Sequence, residues 1–236
     1  MITLPLGFIT FLIVIFFSMG HVKASDYIVF HSILIVVGGT VAIGMLCTPF
    51  GILKVLGHNV LSLFKSRRSV DGAKAELMKL AENRNSITSS KDPMIAYALT
   101  LWEKGLDGGT VQGLLTQYRD HQEHEEAEAI AALHAIAKYP PALGMLGTVM
   151  GMITLFANLG GSDKSGLGPA LATAMTATFY GLIMANGVFS PLADRLVVEA
   201  IYRRKVTGSI FEILTLINRR EPASMIEEEI GVRAAA

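Results

Sequence analysis

The stretch KYPPALGMLGTVMGMITLF, residues 138–156, decides the fold, because it is apolar enough to cross a membrane and carries no charge after its first residue. It also holds two prolines, three glycines and two threonines, an unusual content for a simple anchor. Four of these residues recur at helical spacing and share one face: Gly144, Gly147, Thr148 and Gly151. Small residues let a second helix approach closely, so this face predicts tight helix packing. The threonine leaves a second possibility open, because its hydroxyl can bond its own helix or face a polar path for an ion or water.

The whole chain has the composition of a membrane protein. Of its 236 residues, 51% are hydrophobic and only 17% are charged, and the formal net charge is zero. A neutral chain lacks the basic surface that nucleic-acid binding leaves in a sequence, so no nucleic-acid partner is expected. The single cysteine, Cys47, excludes an internal disulfide framework.

No residues suggest catalysis or a metal site. We find no nucleophile and base that can be placed together, and therefore expect neither an enzyme nor a cofactor. The stretch HQEHEEAE pairs His121 with Glu125 and His124 with Glu128 at helical spacing. A solvated charged face explains this pattern better than metal binding does, so no metal is expected.

Four apolar segments can span a membrane, at 4–20, 28–50, 139–159 and 167–192. The polar parts alternate apolar and charged residues at helical spacing, and 109–141 is predicted to be one long helix running into the third segment. We therefore predict an all-α integral membrane protein with four transmembrane helices, a large helical cytoplasmic region between helices two and three, and a helical C-terminal tail. The predicted parts are a hairpin at 1–50, a cytoplasmic domain at 51–138, a second hairpin at 139–193, and a C-terminal helix and tail at 194–236.

The distribution of basic residues predicts the orientation. Of the 20 Lys and Arg residues, only Lys23 and Lys164 fall in the short loops that join the paired segments. The positive-inside rule therefore puts both termini and the central block in the cytoplasm. The basic cluster KSRRS, residues 65–69, is interpreted as an anchor for lipid headgroups. The first segment is expected to be a retained anchor, because no clear cleavage site follows it.

Acidic residues are absent from all four predicted spans, although the chain has 20 of them. Proton relays and ion-coupling sites usually rely on an intramembrane carboxylate or histidine, and the spans offer only His31. If the chain conducts ions, a partner must supply the titrating group. The fourth segment nevertheless repeats the small-residue face of the third, with Ala170, Ala174, Thr178, Gly181 and Ala185.

Three stretches resemble the A subunit of bacterial flagellar stators, the MotA/PomA type of the MotA/TolQ/ExbB superfamily. They are HSILIVVGGTVAIGML, PPALGMLGTVMGMITLFANL and LGPALATAMTATFYGLIMANGVFSPLADRL, at 31–46, 140–159 and 167–196. The resemblance implies a multi-pass protein of the bacterial inner membrane, with five copies around two copies of a B subunit whose membrane helix carries an essential aspartate. It also implies contact with the rotor's switch protein and with lipids, and the passage of protons or sodium ions. The inferred function is therefore a torque-generating stator subunit.

The resemblance assigns roles to particular residues. It implies an ion pathway lined by Thr148, Thr178, Ala177, Gly147 and Tyr180. It implies a conformational hinge at Pro141 and Pro191, which could otherwise simply mark helix ends or kinks. Helix packing is assigned to Gly144, Gly151, Ala174 and Gly181. Rotor contact is assigned to Glu103, Lys104 and Asp107, for which a solvated face is the alternative.

Sodium-type relatives carry two threonines where this chain has Ala177 and Thr178, so protons are the expected ion. Two alternatives to the stator function stay open: a TolQ/ExbB-like or other rotary energiser of the same superfamily, and a non-conducting membrane scaffold.

Overall fold

A computed structural model describes residues 3–18, 20, 27–63, 70–83, 86–159 and 166–228. Within these ranges the chain is helical and contains no strand, which confirms the predicted all-α class. The predicted lipid anchor at 65–69 and the predicted outer loops, apart from Tyr27 and Gly166, lie outside these ranges. By contacts the chain divides into two units, Met1–Phe64 with Glu128–Val197 and Lys65–Ala127 with Val198–Ala236.

The first unit contains the apolar helices. They are α1 (Thr3–Ser18), α2 (Phe30–Ile33), a first π-helical segment (Leu34–Gly38), α3 (Gly39–Cys47), α4 (Phe50–Ser62), α8 (Tyr139–Leu159), α9 (Leu167–Ile183) and a second π-helical segment (Met184–Phe189). The end of α7 (Gly108–Ile136) and the start of α10 (Ser190–Asn218) also belong to it. By length and composition, three helical runs could cross a membrane: Phe30–Cys47, Gly108–Leu159 and Leu167–Asn218. The first predicted span corresponds to a shorter apolar helix, Pro5–Ser18.

The predicted continuous helix over 109–141 is interrupted at its end. α7 ends at Ile136, and α8 begins at Tyr139 after a turn. The reason lies in Pro140 and Pro141, which have no N–H to donate to the carbonyls four residues earlier. Both prolines instead occupy the first turn of α8, where backbone N–H groups have no partner within the helix.

The chain remains helical through Pro191. The second π-helical segment leads directly into α10, of which Pro191 is the second residue, so this proline does not mark a helix end. A wider π-helical turn shifts the backbone hydrogen-bond ladder just before a residue that cannot donate to it. The interpretation of Pro191 as a helix end is therefore wrong.

The second unit is a helical domain with a compact apolar core. It contains α5 (Val70–Glu82), α6 (Pro93–Glu103), most of α7 and most of α10, as the helical spacing of its sequence predicts. Its core includes Leu77, Leu80, Ile95, Leu115, Ile210, Ile213 and Leu214. The start of α6 follows from its sequence: the Asp92 carboxylate accepts hydrogen bonds from the N–H groups of Met94 and Ile95, and Pro93 occupies the first helical position.

Candidate functional site

The small-residue faces of α8 and α9 pack against each other within one chain. Gly144, Gly147 and Gly151 are all buried in this seam. A Cβ atom added to Gly144 would lie 2.9 Å from the carbonyl oxygen of Ala177, and one added to Gly151 would lie 2.8 Å from the carbonyl oxygen of Ala170. These distances leave no room for a methyl group, because the obstacles are backbone atoms. The glycines therefore set how closely the two backbones approach.

The contact is reciprocal along the seam. A Cβ atom on Gly181 of α9 would lie 2.5 Å from the carbonyl oxygen of Pro140, and one on Gly151 of α8 would lie 2.7 Å from the methyl group of Ala174. Early residues of α8 thus meet late residues of α9, and late residues of α8 meet early ones of α9. The two helices form an antiparallel hairpin with a closely packed seam.

Two hydroxyl groups meet at the edge of this seam. The side chains of Thr148 and Thr178 hydrogen-bond to each other, and both are half-buried. The Thr148 hydroxyl also lies 3.1 Å from the carbonyl oxygen of Gly144 on its own helix and 3.2 Å from that of Ala174 on α9. One of the two threonine hydroxyls donates its proton to the other. The second hydroxyl then donates its own proton to a backbone carbonyl oxygen. Thr148 therefore bonds its own helix and also reaches across the seam.

The other predicted pathway residues lie close by, with different exposures. Ala177 has no exposed surface and Gly147 is buried, so both lie inside the seam. Tyr180 is half-buried, and its hydroxyl donates a hydrogen bond of 2.5 Å to the carbonyl oxygen of Tyr27. In the chain by itself, Thr148, Thr178 and Tyr180 are thus the predicted pathway residues that keep some exposed surface. The pathway roles of all five residues stay a prediction.

A second pair of hydroxyls, which the sequence reasoning missed, lies between α2 and α9. The Ser32 hydroxyl is fully buried and lies 2.7 Å from that of Thr176 and 2.9 Å from the carbonyl oxygen of Thr173. A signal was present, because Ser32 and Thr176 are polar residues within apolar runs. Sequence alone could not show that the two belong together, since 144 positions separate them.

The seam contains hydroxyls but no acidic, basic or histidine side chain. No Asp or Glu occurs in 139–159 or 167–192. Among the described residues, no group of three or more His, Cys, Asp and Glu side chains is positioned to hold a metal ion. His121 lies 3.5 Å from Glu125 as an exposed pair in the second unit. The seam can thus offer an ion hydroxyl and carbonyl oxygens, but no group that changes its charge.

The predicted rotor-contact residues lie in an exposed turn of the second unit. Glu103 ends α6, Lys104 and Asp107 lie between α6 and α7, and all three are exposed; Gly105 has a positive φ of 68° that turns the chain. Asp107 also has a structural task, because its carboxylate accepts a 3.0 Å hydrogen bond from the N–H of Thr110 at the start of α7. The Thr110 hydroxyl and N–H bonds hold the pKa of Asp107 below its ordinary value.

A largely buried ion pair joins α7 and α10 in the second unit. The guanidinium Nε of Arg203 lies 3.2 Å from Oε1 of Glu126, with the side chains 24% and 13% exposed. Burial raises the pKa of the Glu126 carboxyl, and the charges of Arg203 and Arg204 act in the opposite direction. The sequence gives no sign of this pair, because its partners lie on helices far apart in the chain.

Comparisons with known proteins identify a family and several relatives of this chain. Residues 86–204 match the MotA/TolQ/ExbB proton channel family. Motility protein A of Cereibacter sphaeroides is 32% identical over 218 residues, which are 84% of this chain and 81% of that one. Chemotaxis protein PomA of Vibrio alginolyticus is 28% identical over 198 residues, which are 77% of this chain and 76% of that one.

Solved structures share the fold. A chain of the C. jejuni MotAB structure superposes with a TM-score of 0.80 at 18% identity, covering 98% of this chain and 94% of that one. A chain of the flagellar MotAB stator complex from Bacillus subtilis gives a TM-score of 0.77 at 20% identity, covering 96% and 92%.

Proposed function

The chain belongs to the MotA/TolQ/ExbB proton channel family, and we propose that it is the ion-conducting, torque-generating A subunit of a bacterial flagellar stator. As a member of a channel family, it is not an enzyme. The observation that carries the proposal is the α8–α9 seam. It joins two apolar helices and offers a pair of hydroxyls, those of Thr148 and Thr178, but contains no carboxylate. Such a seam forms one wall of an ion path and needs its titrating group from another chain.

The partner in this proposal is a B-type subunit whose membrane helix carries an aspartate. The structures similar in fold are MotAB assemblies, which supports an A subunit that works in complex with a B subunit. We propose five copies of this chain around two B subunits, in the inner membrane with both termini in the cytoplasm. The four apolar segments would span as two hairpins, 1–50 and 139–193, with the cytoplasmic domain at 51–138 and the tail at 194–236.

The hydroxyls of the seam can be tested by isosteric substitution. Thr148→Val and Thr178→Val remove one hydroxyl each while keeping the volume of the side chain. The matched control is Thr154→Val, because Thr154 is exposed on the same helix and hydrogen-bonds its own backbone, at the carbonyl oxygen of Met150. If the hydroxyls line the ion path, the first two variants lose motility and ion flux while the assembled complex is still recovered. Motility equal to that of the control variant would mean that the hydroxyls serve packing alone.

The ion is proposed to be the proton. Ala177 replaces a hydroxyl that sodium-type relatives carry, and its methyl group is fully buried in the seam, so it adds no oxygen ligand. Stator-driven motility should therefore persist when sodium is removed from the medium and collapse when the proton gradient is dissipated. Loss of motility on sodium removal alone would overturn this part of the proposal.

The two prolines are proposed to act as hinges in the ion cycle. Pro141 lies in the first turn of α8 just after the interruption, and Pro191 follows the second π-helical segment. Both lie where the backbone ladder is already broken or shifted, so a change of conformation there costs few hydrogen bonds. Replacing either with alanine should slow rotation without preventing assembly.

The exposed turn at Glu103, Lys104 and Asp107 is the proposed contact with the rotor's switch protein. Charge reversal of Glu103 or Lys104 should reduce torque, and a reversed charge on the switch protein should restore it. A TolQ/ExbB-like energiser remains the alternative, because the matched family includes those proteins. Deletion of the gene separates the two, since loss of swimming with an intact outer membrane supports a stator.

A further inference from the structure

An apolar cavity lies between α1 and the segment that joins α9 to α10. Its volume is about 670 Å³, within the roughly 300–1,000 Å³ of small-molecule sites. One wall comes from α1 and includes Pro5, Gly7 and Phe8, and the other runs from Asn186 to Arg195. At 1.5 Å per residue the second wall is about 14 Å long, so the cavity is an elongated groove.

The groove has a defined floor, where its two walls touch. Gly187 of the second π-helical segment lies directly beneath the ring of Phe11, and a Cβ atom at that position would overlap the ring. Most of the other lining side chains are hydrocarbon, so water in the groove would find few hydrogen-bond partners. The occupant that suits such walls in a membrane protein is an acyl chain.

One lining residue gives the groove a charge. Arg195 is half-buried, and it makes no hydrogen bond or ion pair with any residue that the structure describes. Arginine presents a planar fork of donors that fits phosphate oxygens, and its aliphatic stem can lie along an apolar wall. By the positive-inside rule, this end of α10 lies at the cytoplasmic side of the membrane.

We propose that this groove is a binding site for one anionic phospholipid of the inner leaflet, with an acyl chain between α1 and the second π-helical segment and the phosphate group on Arg195. A zwitterionic lipid would fill the same groove but would offer the arginine no net negative charge. The site lies on the outside of the α8–α9 seam and does not depend on ion conduction. It borders the π-helical turn and Pro191, so the bound lipid would stabilise that segment.

The test uses the full chain, with any partner that co-purifies, and measures lipid adducts by native mass spectrometry. Phosphatidylglycerol and phosphatidylcholine are titrated separately. We expect phosphatidylglycerol to bind about tenfold more tightly, because its headgroup carries a net negative charge, whereas the choline ammonium of phosphatidylcholine offsets its phosphate. Arg195→Gln should remove this preference, because it weakens phosphatidylglycerol more than phosphatidylcholine. The control Arg219→Gln, at an exposed arginine of the second unit, should keep the preference.

A second variant tests the groove independently of charge. Gly7 lines the groove and a Cβ atom added to it meets no atom within 4 Å, so a side chain can be attached there; Gly7→Leu is chosen to occupy the groove and should weaken both lipids. Gly57→Leu is the matched control, because that glycine on α4 also has open space around it and lies outside the groove. The proposal is overturned if Arg195→Gln keeps the wild-type preference, if Arg219→Gln loses it equally, or if Gly7→Leu binds both lipids as the control does. A disulfide cross-link from Gly7→Cys to another protein chain in membranes would also overturn it, because a protein would then occupy the groove.

Discussion

The contact between Gly147 of α8 and Ala177 of α9 leads to a prediction about both residues. Gly147 is buried opposite Ala177, whose methyl group has no exposed surface. A Cβ atom on Gly147 would overlap that methyl group, whereas its next neighbours, two atoms of Ile35, would lie 3.7 and 3.8 Å away at ordinary contact distance. A single methyl group therefore prevents alanine at position 147, and exchanging the two residues should remove the conflict.

The expected magnitudes follow from packing and helix propensity. Gly147→Ala adds a methyl group to a full seam, which costs about 1–3 kcal/mol, and regains up to about 1 kcal/mol of helix propensity. Ala177→Gly loses about 1 kcal/mol of propensity and a further ~0.8 kcal/mol of buried methyl surface. In the exchanged protein the packing and the helix-propensity changes both cancel, because the seam again holds one methyl group and the two helices again share one glycine and one alanine. We expect a stability within about 1 kcal/mol of wild type and a coupling energy of about 2 kcal/mol.

The assay is equilibrium unfolding of the purified chain in mixed micelles, followed by circular dichroism. The matched control combines Gly147→Ala with Ala170→Gly, which removes a buried methyl group from α9 at a residue whose backbone carbonyl lies opposite Gly151 and not opposite Gly147. This control should not recover stability. The reasoning is refuted if Gly147→Ala costs nothing, or if Ala170→Gly rescues it as well as Ala177→Gly does.

Three further predictions concern other contacts. Gly181→Ala places a methyl group against a backbone carbonyl at 2.5 Å and should destabilise the chain by about 3 kcal/mol, whereas Gly168→Ala, with no atom within 4 Å, should be neutral or slightly stabilising in the same unfolding assay. The pKa of Asp107 is lowered in the folded state, so its contribution to stability is present at neutral pH and is lost as the pH falls through that lowered value; a pH series should show this loss in wild type and not in Asp107→Asn. Arg203→Gln should cost about 2 kcal/mol by leaving its largely buried glutamate partner unpaired, whereas Arg204→Gln, at a 43% exposed side chain, should change the melting stability by less than about 0.5 kcal/mol.

Much of the fold could be predicted from local patterns. The apolar runs, the helical spacing of the polar block and the Asp-Pro start of α6 all indicate helices, and the structure contains them. The resemblance to flagellar stator A subunits is confirmed by the family match and by the curated relatives. These features are predictable because each depends on residues a few positions apart, or on a motif that stands in one stretch.

The continuity of helices was harder to predict. Two adjacent prolines end α7 at Ile136, although the apolar pattern runs on without a break. Pro191, a single proline, leaves the helical run from α9 into α10 continuous, because the π-helical turn before it shifts the backbone hydrogen bonds. The sequence marks both places with the same residue type, and only the backbone geometry around each proline separates the two outcomes.

The sequence by itself determined that the chain is a helical membrane protein with two small-residue faces and no carboxylate in its spans, because composition and period are local properties. Only the tertiary structure decided that these two faces meet each other, that Thr148 hydrogen-bonds Thr178, and that Ser32 pairs with Thr176. The physical reason is that helical periodicity gives the direction a side chain faces but not the partner it meets. The partner depends on how closely two backbones can approach. The glycines of α8 let α9 come close at positions where a methyl group would overlap atoms of α9.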